Sequence, residues 1–231
     1  ARFLEPEVAQ CWYFLASLAY LTLSLLTAAI MLDPERYGEE EKTCAAIDSL
    51  LQRLDSVPCV LRAGASSTMP MLGSEACTVA VEGREEAGIV TANVQRITDN
   101  YLETMGTTVL EGETFPRHMA ARSRGKVLVN RTLAVRFFGR ESALGKRLIL
   151  RGMKYKYAEI IGVVGDVRST GLQAEVNPTV YVPFYSEPYS VLMLAVRTSG
   201  NPMDVAEEVR RAVWMADSSM PVMMVRPMTD I

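Results

Sequence analysis

KVLVNRTLAVRFFGRESALGKRLILRGMKYKYAEIIGVVGDVR, residues Lys126–Arg168, is the stretch whose reading decides the fold. Val127–Val129 is a short apolar strand. Asn130 follows as a helix N-cap, since its side-chain oxygen can accept a free N–H of the first turn. Leu133, Ala134, Phe137 and Phe138 then recur at the spacing of one helical face. Gly139 ends that helix where a left-handed residue is wanted. Gly145 turns the chain, Arg147–Leu150 pairs as a strand with Tyr157–Val164, and Gly165-Asp166 breaks the second strand.

Upstream, residues 1–10 read as a boundary, and Cys11 to Leu32 carries no charge. Count alone makes that run a transmembrane candidate. Leu21, Leu23 and Leu25 alternate with Thr22 and Ser24, which is a strand period. Cys11–Ala19 therefore reads as the end of a membrane helix or its remnant, and Tyr20–Met31 as holding the first strand. No short basic start and no small-residue cleavage site mark a signal peptide. Asp33 to Gly38 is a turn. Glu40–Ser56 is an amphipathic helix with Ile47, Leu50, Leu51 and Leu54 on one stripe, and Pro58 stops it. Val60–Ser66 is a strand of small residues on which a helix can lie close.

Between residues 68 and 125 the character changes. Thr78–Glu82 and Ala92–Ile97 read as strands, and Asp99 caps a short helix that runs through Met105 to Gly106. Val109–Gly112 leads into a charged loop over Glu113–Gly125. Downstream of Arg168, Thr179–Pro183 and Val191–Arg197 are strands. Asn201-Pro202-Met203-Asp204 is a helix start with the cap, the proline and the acid in their preferred places. Val205, Ala206, Val209, Ala212, Val213 and Ala216 form that helix's apolar face, and Met220–Arg226 is a final strand. The fold class is α+β in two lobes. A β-α-β unit opens the chain and another closes it, and a strand-rich lobe is inserted between them. Two such units whose helices share an apolar side make a single sheet covered on one face.

The 24 basic and 27 acidic residues are close to balanced and form no basic block, which argues against a nucleic-acid surface. One histidine among 231 residues leaves little for a histidine-based metal or proton-shuttle site. Cys11, Cys44, Cys59 and Cys77 form no C-x-x-C pair, so a structural metal is not expected. Cys44 and Cys59 flank a helix that holds them about 18 Å apart, against the about 7 Å a disulfide tolerates. These cysteines read mainly as small buried hydrophobes. Met69, Met71, Met215, Met220, Met223 and Met224 read as fillers of core gaps.

The tempting chemical motifs fail on spacing. Gly139 to Lys146 imitates a phosphate loop, but has five residues between its glycines, and Arg147 stands where a Ser or Thr belongs. Gly162-Val163-Val164-Gly165-Asp166 lacks the third glycine and the opening helix of a dinucleotide site. Ser66-Ser67 and Ser218-Ser219 lack elbow glycines, and His118 sits in the charged loop with no positioned partner. Glu85-Glu86 and Glu207-Glu208 are solvated faces rather than a pair held across a cleft. Asn130-Arg131-Thr132 matches a glycosylation sequon in letters only. No catalytic, cofactor-binding or metal-ligating residue is nominated, and the chain reads as a non-enzyme with no cofactor.

VNRTLAVRFFGRESALGKRL, then EIIGVVGDVRSTGL, resembles the extracytoplasmic core domain of MacB-like ABC-transporter permeases, the FtsX-like group. VQRITDNYLETMGTTVLEGETF upstream and PTVYVPF with LAVRTSGNP downstream stand in the family's order. The resemblance spans roughly residues 34–231. It implies a split porter lobe from residues 20–67 and 190–231, a Sabre lobe inserted over 68–189, and a membrane-proximal segment over 1–19. It implies flanking membrane helices and a place on the extracytoplasmic face of a bacterial inner membrane. Its implied partners are an ABC ATPase, a second permease copy or repeat, and a periplasmic adaptor or lipoprotein, with no nucleic acid. The implied role is to couple cytoplasmic ATP hydrolysis to movement outside the membrane. A soluble two-lobed binding module for a peptide or lipid is the alternative.

Overall fold

The computed structural model describes residues 25–37, 39–70, 72–84, 88–116, 125–167, 175–186 and 190–231. Among the described residues eleven strands form one continuous hydrogen-bonded system with two main cores and a third apolar cluster between them.

The first core belongs to the chain's two ends. β1 (Leu25–Met31), α1 (Pro34–Tyr37), α2 (Glu40–Asp55) and β2 (Val60–Ser66) open it. β10 (Val191–Thr198), α5 (Ala206–Ala216) and β11 (Val222–Pro227) close it. The strand order is β11-β1-β10-β2, with every neighbour antiparallel. Each β-α-β unit therefore straddles a strand of the other, the split arrangement of ferredoxin-like folds. Leu26, Ala28 and Ile30 of β1 and Leu192, Leu194 and Val196 of β10 face the helices. Ile47, Leu50 and Leu54 of α2 and Val209 and Val213 of α5 cover them. Each of these fully buried Leu, Ile and Val side chains stabilises the lobe by about 1.5–3 kcal/mol.

The second core lies inside a barrel. β3 (Glu75–Val81), β4 (Val90–Ile97), β6 (Lys126–Asn130), β7 (Arg147–Arg151), β8 (Tyr157–Val164) and β9 (Thr179–Pro183) pair in the ring β4-β3-β7-β8-β6-β9. Parallel pairing of β9 with β4 closes it. β5 (Val109–Gly112) pairs with β8 outside the ring. Alternate residues point inward: Cys77, Val79 and Val81; Val90, Ala92 and Val94; Val127 and Val129; Val180 and Val182. α4 (Arg131–Phe138) adds Leu133 and Phe138 to this interior. Asn130 caps α4 as expected, its Oδ1 accepting the Leu133 N–H at 3.0 Å. The same oxygen also accepts the Thr179 N–H at 2.9 Å, which ties the helix to β9.

Several expectations change. The α/β sheet is covered on both faces, because α3 (Tyr101–Met105) lies against its second face. Asn100, not Asp99, precedes α3, and Asp99 Oδ1 instead accepts the Asn100 N–H. The Asn201 cap holds a 3-10 turn, Pro202–Val205, before α5 begins. Val109–Gly112 is a strand rather than a lead-in to a loop. The methionines divide: Met69 and Met220 are buried, whereas Met215, Met223 and Met224 are exposed. Among the cysteines Cys77 is buried, Cys44 half-buried and Cys59 exposed. Residues 11–24, Met71 and His118 lie outside the described residues. Leu25–Met31 is strand, which removes the helical reading from that end of the charge-free run. Among the described residues no helix is long and apolar enough to cross a membrane.

Candidate functional site at the lobe junction

Chemistry that the sequence left unassigned stays dispersed. Gly139 and Gly145 both take positive φ in the turn between α4 and β7, so the false phosphate loop is a helix-to-strand connection. Gly162 lies within β8, where a Cβ would come within 2.4 Å of the Glu113 carbonyl oxygen. Among the described residues no three His, Cys, Asp or Glu side chains converge on a metal-sized space.

What the fold does build is a narrow junction between its two cores. β2 and β4 share a single bridge, Ser66 opposite Ile97. Around it the two strands exchange a few further hydrogen bonds. Thr98 N–H donates to the Ala65 carbonyl at 2.9 Å, and the Thr98 hydroxyl oxygen accepts the Ala65 N–H at 2.9 Å. The Gln95 side-chain amide donates toward Ser66 Oγ at 2.9 Å, the Thr68 carbonyl at 3.1 Å and the Tyr101 hydroxyl at 2.9 Å. Gln95 belongs to the barrel and Ser66 to the α/β sheet, so one side chain joins both lobes.

α3 belongs to the same junction. It follows β4 directly and packs on β2 and β10. Arg62 and Arg197 stand directly opposite each other on that face, an arrangement that is repulsive on its own. α3 and the end of α2 relieve it: Arg62 pairs with Glu103 of α3 at 3.0 Å and with Asp55 of α2 at 3.6 Å, and Arg197 Nε donates to the Thr104 carbonyl at 2.9 Å. Leu102 and Met105 of α3 and Leu25, Ala29 and Met193 of the sheet then share a third apolar cluster with Leu128 and Val164 of the barrel. No local signal in the sequence announces this cluster, since its members come from every part of the chain.

Beside the junction lies an open cleft of about 620 Å³, with Thr68, Met69 and Leu72 on one side and Val191, Met193 and Met224 on the other. Met224 takes φ +50° at a bulge in the edge strand β11, where β11 carries one more residue than β1 between Thr27 and Ala29. The bulge turns Met224 outward.

A separate polar cluster ties α1 to the segment after α5. Asp217, after α5, accepts hydrogen bonds from the Tyr37 hydroxyl, from Arg36 Nη1 at 3.0 Å and from the Ser219 N–H at 2.9 Å. The Tyr37 hydrogen bond, with help from Ser219 and Arg36 and against the cost of burial, lowers the Asp217 pKa from 3.8 to about 2. Burial and the neighbouring Asp217 raise Tyr37 from 10.0 to about 12. Tyr185, also raised chiefly by burial, donates to Asp48 Oδ1 at 2.6 Å and pins the segment after β9 to α2. These are structural ties.

The sequence profile of the MacB-like periplasmic core domain matches residues 28–212. No curated protein sequence matches the chain. Three solved structures share the fold. The periplasmic region of MacB from Actinobacillus actinomycetemcomitans superposes with a TM-score of 0.59 at 16% identity, over 91% of this chain and 92% of that one. The extracellular domain of the noncanonic ABC-type transporter YknZ from Gram-positive bacteria gives 0.53 at 18%, over 86% and 100%. A domain of a putative permease from Porphyromonas gingivalis gives 0.51 at 14%, over 88% and 87%. The profile match covers most of the chain and includes both lobes, so the chain belongs to the MacB-like periplasmic core domain family, the extracytoplasmic domains of ABC-transporter permeases.

Proposed function

We propose that this domain transmits mechanical work, its α/β lobe and barrel rocking about the junction as an ATPase on another domain or chain cycles. The observation that carries the reading is the single bridge between β2 and β4, flanked by polar ties and one shared apolar cluster, against two separate cores of which each belongs to one lobe. Two rigid bodies with a thin hinge move by closure rather than by internal deformation. The start of β1 and the end of β11 lie side by side, with Leu26 opposite Pro227, so a pull applied there is delivered to one edge of the lobe.

In this reading residues 20–67 and 190–231 form the driven lobe, residues 68–189 the responding lobe and residues 1–19 the approach to the membrane. The chain carries no catalysis and no cofactor. Its partners are the ATPase, reached through membrane helices, a second permease copy or repeat, and a periplasmic adaptor or lipoprotein. The transported class is open to export or to lipoprotein and peptide handling.

The test is a cross-link across the cleft. Leu72→Cys and Met224→Cys, in a Cys59→Ser background, are joined by a short bismaleimide in the intact permease. Transport should stop while the domain keeps its circular dichroism and melting behaviour. Transport at the unlinked rate in the linked protein would sink the proposal.

The cleft itself favours a second reading, a two-lobed module that holds an extended apolar peptide or lipid between the lobes. Under that reading the Leu72→Cys and Met224→Cys pair, left unlinked and capped with bulky maleimides, blocks ligand uptake by itself. Under the transmission reading only the link matters.

A further inference from the structure

We propose that the β7–β8 hairpin of the barrel is a docking surface for a layer of anionic phospholipid headgroups. This inference does not depend on the rocking of the lobes.

The whole-chain charge balance conceals a local excess. From Ser142 to Ala158 there is no acidic residue, and Lys146, Arg147, Arg151, Lys154 and Lys156 all fall within that stretch. All five are exposed. Arg147 is steadied by Glu82 at 3.2 Å, but no carboxylate among the described residues pairs with Lys146, Arg151 or Lys156. Three of the five lie near aromatic rings: Arg147 and Lys156 are 5.5 and 5.3 Å from the Tyr157 ring centroid, and Lys154 lies 5.6 Å from that of Tyr155. A ring holds a side chain in place without neutralising it.

Between them is a shallow cleft of about 370 Å³ with Ile149, Leu150 and Met153 at its floor and Arg151 and Lys156 at its rim. Exposed Tyr157, opposite Ile149 in the hairpin, adds apolar area beside it. Cations interleaved with half-exposed aromatic and aliphatic groups match a headgroup layer, which offers phosphates above and acyl carbons just beneath. A purely acidic protein face would leave the apolar floor unused.

β3 leaves the junction and β7 runs antiparallel to it, with Thr78 opposite Arg151, so the β7–β8 turn returns to the junction end of the barrel.

The full 231-residue chain should sediment with equimolar phosphatidylglycerol–phosphatidylcholine vesicles and at least tenfold less with phosphatidylcholine alone. Each cation contributes about fivefold in partitioning, and added salt should weaken the binding steeply. Arg151→Glu with Lys156→Glu should cut binding by more than about twenty-five-fold. Arg151→Gln with Lys156→Gln should give an intermediate loss, and both variants should keep the native circular dichroism because the side chains are exposed. Equal binding to both vesicles, no binding, or binding that the glutamate variant retains would each overturn the proposal. Binding to polyglutamate or to pyrophosphate, dependent on these two residues, with none to vesicles would overturn it as well, and would reassign the surface to an acidic protein or to free phosphate.

Discussion

Gly64 and Tyr101 touch backbone to backbone: a Cβ built on Gly64 would sit 2.7 Å from the Tyr101 Cα and 2.9 Å from Thr104 Oγ1. Only glycine lets α3 lie this close to the sheet. Neither obstacle is the far end of a flexible side chain, so α3 must move if the residue grows. Gly64→Ala should destabilise the domain by about 1–3 kcal/mol, as overpacking does. It should also lift α3 off β2, break the Arg197–Thr104 hydrogen bond and increase hydrogen exchange in α3. Unchanged stability and exchange would remove α3 from its place as the brace of the junction.

Asn130 satisfies three backbone groups at once, two of them buried. Its Oδ1 accepts from Leu133 and Thr179, and its Nδ2 donates to the Asn177 carbonyl at 2.9 Å. Asn130→Ala should cost about 2–4 kcal/mol, a lost cap plus buried groups left unpaired. Asn130→Asp keeps the acceptor and should recover part of that loss. Urea denaturation of the three proteins measures both differences.

The Asp217–Tyr37 pair gives a pH signature with a defined sign. Asp217 is held below its ordinary pKa, so the stability it contributes is present above about 4 and is lost as pH falls toward about 2. Tyr37 is held above its ordinary value, so its contribution is full below about 10 and fades as pH rises toward about 12. Asp217→Asn should flatten the acid limb of a melting-temperature profile relative to the parent. An unaltered acid limb would show that other carboxylates set it.

Thiol reactivity should follow burial. Cys59 is exposed at φ +68°, in the turn between α2 and β2, whereas Cys77 points into the barrel. Under native conditions a maleimide should label Cys59 first, with Cys77 labelled only after denaturant opens the barrel. Peptide mass mapping distinguishes the two.

Much of the architecture can be read from local pattern. Val60–Ser66 and Thr179–Pro183 are strands at the boundaries their residues suggest, and the stripe Ile47, Leu50, Leu51, Leu54 is the buried face of α2. Asn130, Gly106 and Gly139 punctuate the chain as their chemistry requires. Closure of the barrel is a different kind of fact. The parallel pairing of β4 with β9 joins Asn93 to Thr179, and nothing in either segment's period specifies its partner. The methionines mislead for a related reason. Apolar character predicts burial, but Met215, on the outer face of α5, is 69% exposed, and Met224, at the one-residue bulge in β11, is exposed as well. The junction was invisible for the same cause: Gln95, Ser66, Tyr101 and Arg197 are ordinary residues until the fold brings them together. The basic hairpin is legible in the charge of its own segment, Ser142–Ala158, and hidden in that of the whole chain.

The interleaved strand order has a consequence for how the protein is made. β1 must pair with β10, and Leu25 meets Arg197 only after the whole barrel has been synthesised. The barrel's strands all lie between residues 75 and 183, so it can close while the α/β lobe is still half a sheet. Until β10 emerges, β1 and β2 wait with unpaired edges and with Leu26, Ile30 and Ala65 uncovered. Such long-range pairing is slow and exposes aggregation-prone surface. The nascent chain therefore passes through a stage in which one half is finished and the other depends on protection, and the arrival of residues 191–198 releases it.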